Sequence, residues 1–419
     1  MHTYKDIILG DFKQLRPSSN CTLHLPEDYE ALQKSKWYAA YNVHFLMEFD
    51  DGIKWLIRVR QNQGHRLPSQ ITEPVIQSEV ATLQVLRDYG IPVPEAYLPG
   101  YMRLKGERNE TTLDYFFLSF MEGTPMDIPR SGHLGEITLP DDQLQHFIEE
   151  YAKTEIQLRN LRLPFKKIGC IYPAEHDGML VGPIVSRGSF MNPTPPYFMG
   201  PFDTLKDMYL AKIDSALRYI SLNALQGQNP VDAYLWHLEL RELVSHSKVL
   251  CEVPEQLFIK HDDKKGDEMM VNSEGKVIGV IDWEWAYVTI ESDAFSTPWL
   301  FNRTLTYVRE GSNSLTHPEE LLVQQYETMG YSDLADCVRD GRLYLRLDRI
   351  GYYDSAYKKS GFREVFGDDV PSDLTPPEHD VDWRVFSMKR YQKDEGLKDV
   401  MNRFGWTLER AEEEAERMH

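Results

Sequence analysis

Two aspartates and the runs that carry them hold most of the chemical information in this chain. Phe258-Ile259-Lys260-His261-Asp262-Asp263 leads from an apolar strand into a loop dense in charge, Lys264-Lys265-Gly266-Asp267-Glu268, and the apolar pair Met269-Met270 follows. Nineteen residues beyond Asp263, Asp282 stands directly after the apolar run Val277 to Ile281 and opens Asp282-Trp283-Glu284-Trp285. A charge in that place is costly unless it is paired or binds a cation. Two carboxylates at the ends of adjacent strands can face one cleft, one holding Mg²⁺ through hard oxygen ligands and the other orienting a nucleophile. Read without chemistry, Asp263 is a solvated loop residue and Asp282 a helix N-cap.

Such residues need rigid elements behind them. Residues 40–60 read as two strands around a turn: Val43, Phe45 and Met47 alternate, Asp51-Gly52 is a hairpin signal, and Trp55-Leu56-Ile57 resumes the strand. Alternation puts Arg58 and Arg60 on one side of that strand. Residues 75–89 read as a helix, with Ile76, Val80, Leu83 and Leu86 on one face and Gly90 and Pro92 to end it. Tyr115 to Phe120 reads as a buried strand, and Met121 to Pro125 as a linker. From about 141 the pattern turns helical, led by the stripe Leu144, Phe147, Ile148 and Tyr151. The segment 185–202 reads as a loop, residues 256–260 and 277–281 as strands with Asn272-Ser273-Glu274-Gly275 as a turn between them, and the tail from Leu408 as a solvated helix.

The chain has 419 residues, 42% of them hydrophobic, which is ample for a core and for two units of unequal size. A net charge of -20 argues against a nucleic-acid binder and is compatible with a cationic small substrate, although it also serves plain solubility. Cys21, Cys170, Cys251 and Cys337 form no CxxC pair, so a zinc site or disulfide framework is not expected and a reducing, cytoplasmic setting is. No signal peptide or membrane span is read, and the sequons at Asn20, Asn109 and Asn302 are read as chance matches.

The order His261-x-Asp263, then Glu268, then an apolar hairpin, then Ile281-Asp282-Trp283-Glu284-Trp285 resembles the aminoglycoside phosphotransferase family, in the form carried by its fungal branch. Supporting likeness extends over roughly residues 40–300: Trp55-Leu56-Ile57-Arg58, Glu79 in Ser78-Glu79-Val80, Ile91-Pro92-Val93-Pro94, a hinge-like Phe116 to Pro125, and the larger-lobe segments Ile168 to Tyr172 and Val181-Gly182-Pro183. The resemblance implies an α+β, two-lobed, protein-kinase-like fold: a small antiparallel-sheet N-lobe with one helix over 1–120, a hinge at 121–125, and a helical C-lobe over 126–419. It implies an ATP- and Mg²⁺-dependent phosphotransferase acting on a hydroxyl of a small molecule. In that frame Asp263 is the catalytic base, Asp282 and Glu268 hold metal, and Arg58 braced by Glu79 meets the nucleotide phosphates. Asp263 and Asp282 are then expected to open into one interlobe cleft.

The chain also departs from the family pattern. Glu268 replaces the metal-binding Asn, Arg58 replaces Lys, and Lys34 to Asn42 contains no glycine to cradle phosphate. These departures keep a second reading open, a kinase-like binding or scaffold protein with weak or no turnover, and a third, nucleotidyl transfer in the same cleft. His261, Asp293, Trp283 and Trp285 read as scaffold rather than chemistry.

Overall fold

The structure is a computed structural model and describes residues 5–61, 69–103, 113–131, 136–174, 178–185, 197–223, 229–302 and 309–418. The sequon at Asn109 and most of the loop expected over 185–202 lie outside these residues. The architecture is α+β and resolves into two compact units that interleave in sequence: 1–127, 170–198 and 261–287 form one, and 128–169, 199–260 and 288–419 the other. The sequence division at 121–125 does not follow these units. The segments 170–198 and 261–287, expected in the C-terminal lobe, group instead with the N-terminal residues.

The first unit is built on a five-stranded sheet, β1 (Cys21–Leu23), β2 (Asn42–Phe49), β3 (Lys54–Arg60), β4 (Ala96–Tyr97) and β5 (Tyr115–Ser119), in the order β1-β2-β3-β5-β4 with every pairing antiparallel. Strand alternation sorts the sheet's two faces. Val43, Phe45, Met47, Trp55, Ile57, Val59, Tyr115 and Phe117 form one apolar cluster with Ile8 and Phe12 of the helix Lys5–Leu15. This N-terminal helix therefore covers one face of the sheet. On the other face His44, Arg58 and Phe116 lie side by side in register. The helix Ser69–Asp88 buries Ile76, Val80, Leu83 and Leu86 as the spacing requires, and ends at Gly90 with φ +80°.

The hairpin of the first unit joins Met269–Val271 to Val277–Val280, so the strand expected at 256–260, observed as Phe258–Lys260, is not its first arm. A short strand β6 (Thr124–Pro125) adds to the outer edge of Met269–Val271. The second unit is mainly helical. In the helix Asp141–Arg159 the stripe Leu144, Phe147, Ile148 and Tyr151 is buried, and Asp380–Arg390 packs on both Pro230–His246 and Leu408–Met418. Asn302 is 1% exposed, so the acceptor asparagine of this sequon is buried. No helix among the described residues is long and apolar enough to cross a membrane.

Candidate active site

Arg58 leaves the polar face of β3 and its Nη2 lies 2.5 Å from Asp282 Oδ1, 3.2 Å from Glu284 Oε2 and 3.4 Å from Glu79 Oε1. One guanidinium therefore gathers carboxylates from the Ser69–Asp88 helix and from the segment that follows the hairpin. Arg60, on the same face, pairs with Glu284 and lies 4.0 Å from Glu79. Glu284 Oε2 also accepts a hydrogen bond from Asn42 Nδ2 at 3.0 Å. Glu79 and Glu284 are 1% and 3% exposed, so Glu79 is not the solvated helix residue that its sequence position allows. Glu284 stands in the Ile281-to-Trp285 motif, but nothing local marked its role, because its partners on β2 and β3 lie more than two hundred positions away.

Asp282 is half-buried, and its φ of +67° puts it in the left-handed region. Aspartate tolerates that region better than most residues. No helix begins there, which removes the N-cap reading. Burial alone would raise its pKa, but Arg58, by charge and hydrogen bond, holds the carboxyl well below its ordinary range. Burial pushes Glu79 the other way, up to about 7, against the pull of Arg58. His44, opposite Arg58 in the sheet, is pushed down to about 4 by burial and then by the Arg58 charge.

The acidic loop is tied to Asp282 through its backbone. The Ile281 amide donates to Glu268 O at 2.8 Å, and the His261 Nε2 lies 2.9 Å from Ile281 O, with the ring against Trp283. His261, Trp283 and Trp285 are buried at 1%, 1% and 2% exposure, as scaffold residues would be. Asp293, in the other unit, is likewise held structurally, by Lys260 Nζ at 2.8 Å and Thr289 Oγ1 at 2.8 Å. The Asp263 side chain is 9% exposed rather than solvated, and Lys265 Nζ lies 2.9 Å from its Oδ2. Burial disfavours charge on Lys265, but the carboxylates of Asp263, Asp267 and Asp282 outweigh it and raise its pKa, so Asp263 and Asp282 act on one ammonium.

Glu268 is placed differently from its expected role. Its Oε2 accepts from the Gly266 amide at 2.6 Å and the Lys265 amide at 3.0 Å, and burial raises its pKa to about 7 despite those bonds. Among the described residues no group of three or more His, Cys, Asp or Glu side chains is disposed to hold a metal ion. Magnesium needs no such cage: one or two carboxylates, waters and substrate phosphates suffice. Asp282 fits that requirement, being ionised and 32% exposed, with Arg58 engaging only Oδ1. Glu268 fits it less well, since one oxygen serves the loop. For phosphate, the buried Nε of Arg58 has no hydrogen-bond partner among the described residues, the kind of donor an anionic oxygen satisfies.

No curated protein matches the chain. Solved structures that align with the chain include a macrolide 2'-phosphotransferase from Brachybacterium faecium, at 13% identity and a TM-score of 0.40 over 90% of this chain and 99% of that one. An ethanolamine kinase from Plasmodium vivax aligns at 13% identity and a TM-score of 0.41, over 84% of each chain. A thermostable mutant of an aminoglycoside phosphotransferase, in complex with AMP-PNP and hygromycin B, aligns at 15% identity and a TM-score of 0.42, over 85% and 94%. Residues 65–291, more than half of the chain, match a family described as phosphotransferase enzyme family; this stretch includes Glu79, Asp263, Glu268, Asp282 and Glu284 and leaves Arg58 outside it. The chain belongs to the phosphotransferase enzyme family.

Proposed function

We propose that this protein is a cytoplasmic ATP- and Mg²⁺-dependent phosphotransferase acting on a hydroxyl of a small molecule, in the manner of the fungal branch of its family. The observation that carries the reading is the convergence of Glu79, Arg58 and Asp282 on one point. A cation for phosphate and a carboxylate for metal must stand side by side if charge neutralisation and positioning are to drive transfer. Asp282 would hold Mg²⁺, with the second oxygen of Glu268 as a further ligand, and the metal would neutralise charge on the β- and γ-phosphates. Arg58, steadied by Glu79, would engage the phosphates as a planar fork. Asp263 would orient the acceptor hydroxyl and take its proton.

One observation favours a binding protein without turnover: Glu268, which stands at the metal-binding Asn position, spends Oε2 on its own loop. Thermal-shift measurement with ATP and other nucleotides, with and without Mg²⁺ or Mn²⁺, separates the two together with two variants. A ligand at a hundredfold excess over its Kd stabilises the native state by about 2.7 kcal/mol. Asp263→Ala should abolish turnover and keep the nucleotide shift, whereas Asp282→Ala should lose the metal-dependent part of that shift. A nucleotide shift in a wild type that transfers no phosphoryl group to any small alcohol supports the binding reading. No shift under any metal ends both the ATP assignment and the phosphate role of Arg58.

A further inference from the structure

We infer that Glu284 is a positioning residue that fixes where the Arg58 guanidinium points, and thereby sets nucleotide affinity; this rests on the phosphotransferase reading above. One oxygen, Oε2, does the work: it pairs with Arg60 Nη1, accepts from Asn42 Nδ2 at 3.0 Å and lies 3.2 Å from Arg58 Nη2. Asn42 and Arg60 sit directly opposite each other on β2 and β3, so Glu284 locks the end of that hairpin and reaches back two residues to Arg58. The carboxylate cannot easily swing away, because Trp283 and Trp285 on either side are 1% and 2% exposed.

The three acids around Arg58 Nη2 are not equivalent. Asp282 is 32% exposed at its side chain, whereas Glu79 and Glu284 are 1% and 3% exposed. A ligand that draws Asp282 away from Arg58 leaves the two buried glutamates to hold the guanidinium. Glu79 touches Arg58 only at 3.4 Å, so Glu284 is the closer of the two. A flexible arginine binds an anion better when its planar fork is already oriented. Glu284 is poorly suited to be a metal ligand itself, since three donors already converge on its one engaged oxygen in a buried place.

A plain alternative is that Glu284 only neutralises Arg60. Glu284→Gln alone would change the net charge of a buried cluster and leave Arg60 without its close counter-charge, and can lower stability on either account. The decisive variant is therefore the charge-balanced pair Glu284→Gln with Arg60→Gln, measured for unfolding temperature and, by calorimetry, for Mg²⁺-ATP affinity. The expected result is an unfolding temperature brought back toward wild type with nucleotide affinity still about tenfold weaker, the loss falling on the nucleotide KM more than on kcat. Recovery of wild-type affinity in the pair overturns the inference. A second readout needs no nucleotide: NMR of arginine side chains labelled with ¹⁵N should show an Arg58 guanidinium that rotates faster in the pair than in the wild type, since only Asp282 and Glu79 then hold it. An Arg58 signal unchanged between the two overturns the inference even if the wild type binds no nucleotide, an outcome that would by itself defeat only the phosphotransferase reading.

Discussion

Glu268 is the residue at which chemistry and local structure compete most openly. Its charge is costly where it sits, and two loop amides only partly offset the burial that raises its pKa to about 7. Glu268→Gln keeps an oxygen for those amides and removes the charge. The variant should therefore fold as well as wild type at pH 8, and should gain on it there rather than lose, a comparison that urea unfolding makes directly. If Glu268 also holds metal, the same variant should weaken Mg²⁺ dependence, because an amide oxygen is a poorer ligand than a carboxylate. Glu268→Asn, which restores the family residue, should then leave activity intact or raise it. The candidate site was legible in the sequence wherever a residue sits in a local motif, as Asp263 and Asp282 do, or at a recognisable place on a strand or helix, as Arg58 and Glu79 do. The roles of Asn42 and of Glu284, although Glu284 stands in the same motif as Asp282, were not, because pairing across so long a stretch of chain leaves no trace in local pattern. The left-handed backbone at Asp262 and Asp282 was hidden for a related reason, since only folded surroundings hold a non-glycine residue there.

The elements show where strand and turn chemistry decide the geometry. β6 lies against Met269–Val271, and the Met126 amide donates to Met269 O at 2.8 Å, so the linker is stitched to the hairpin rather than free. Gly123 makes that approach possible. Its φ is +102°, and a Cβ there would stand 2.7 Å from Val271 O and 2.8 Å from the end of the Ile278 side chain. Gly123→Ala combines a backbone conformation that side chains resist with a collision against a main-chain oxygen. It should cost roughly 1–3 kcal/mol or more of stability, read as a lower urea midpoint at unchanged slope. Gly52→Ala offers a control, since its φ of +81° carries the backbone penalty while nothing lies within 4 Å of its added carbon. The β2–β3 hairpin and the Ser69–Asp88 helix follow from alternation and helical spacing, which survive any tertiary context that buries one face. The pairing of Val277–Val280 with Met269–Val271 did not follow, because Met269-Met270-Val271 and Leu257-Phe258-Ile259 are apolar runs of equal length, and runs so short do not declare which of them pairs across the turn. The Lys5–Leu15 helix has Ile8, Phe12 and Leu15 at helical spacing, a signal that was present and could have placed it.

At the scale of the second unit, one helix binds the chain beyond the family match to the chain within it. Pro230–His246 is buried along most of its length, and three of its polar residues each take a partner from after residue 350. Asp232 meets Arg384 through two hydrogen bonds of 2.6 and 2.8 Å, His237 Nε2 accepts from the Gly351 amide at 2.9 Å, and Glu239 accepts from Arg363 Nε and Trp383 Nε1 at 2.7 Å each. His237 makes stability pH-dependent. Burial lowers its pKa from 6.5 to about 4, and a proton on Nε2 would end the bond from Gly351. Below pH 6.5 the unfolded chain takes that proton and the folded chain does not, so this contribution is complete above pH 6.5 and is lost as pH falls toward 4, up to about 3 kcal/mol. Unfolding free energy measured across that range should fall more steeply for wild type than for His237→Gln. Glu239 supplies the sharper test of the helix as an anchor. Its side chain is fully buried, and Arg363 is 11% exposed with, among the described residues, only the outlying Glu378, 3.6 Å away and 63% exposed, as a second acid. Glu239→Gln leaves a nearly buried guanidinium without its close counter-charge, which should cost about 3–5 kcal/mol, toward the lower end because Glu378 remains. Adding Arg363→Met removes the stranded cation and replaces it with an apolar side chain of similar length. The double variant should recover most of the loss. A urea-denaturation cycle of the four proteins checks this, and an additive result would mean that Glu239 and Arg363 do not act as a pair.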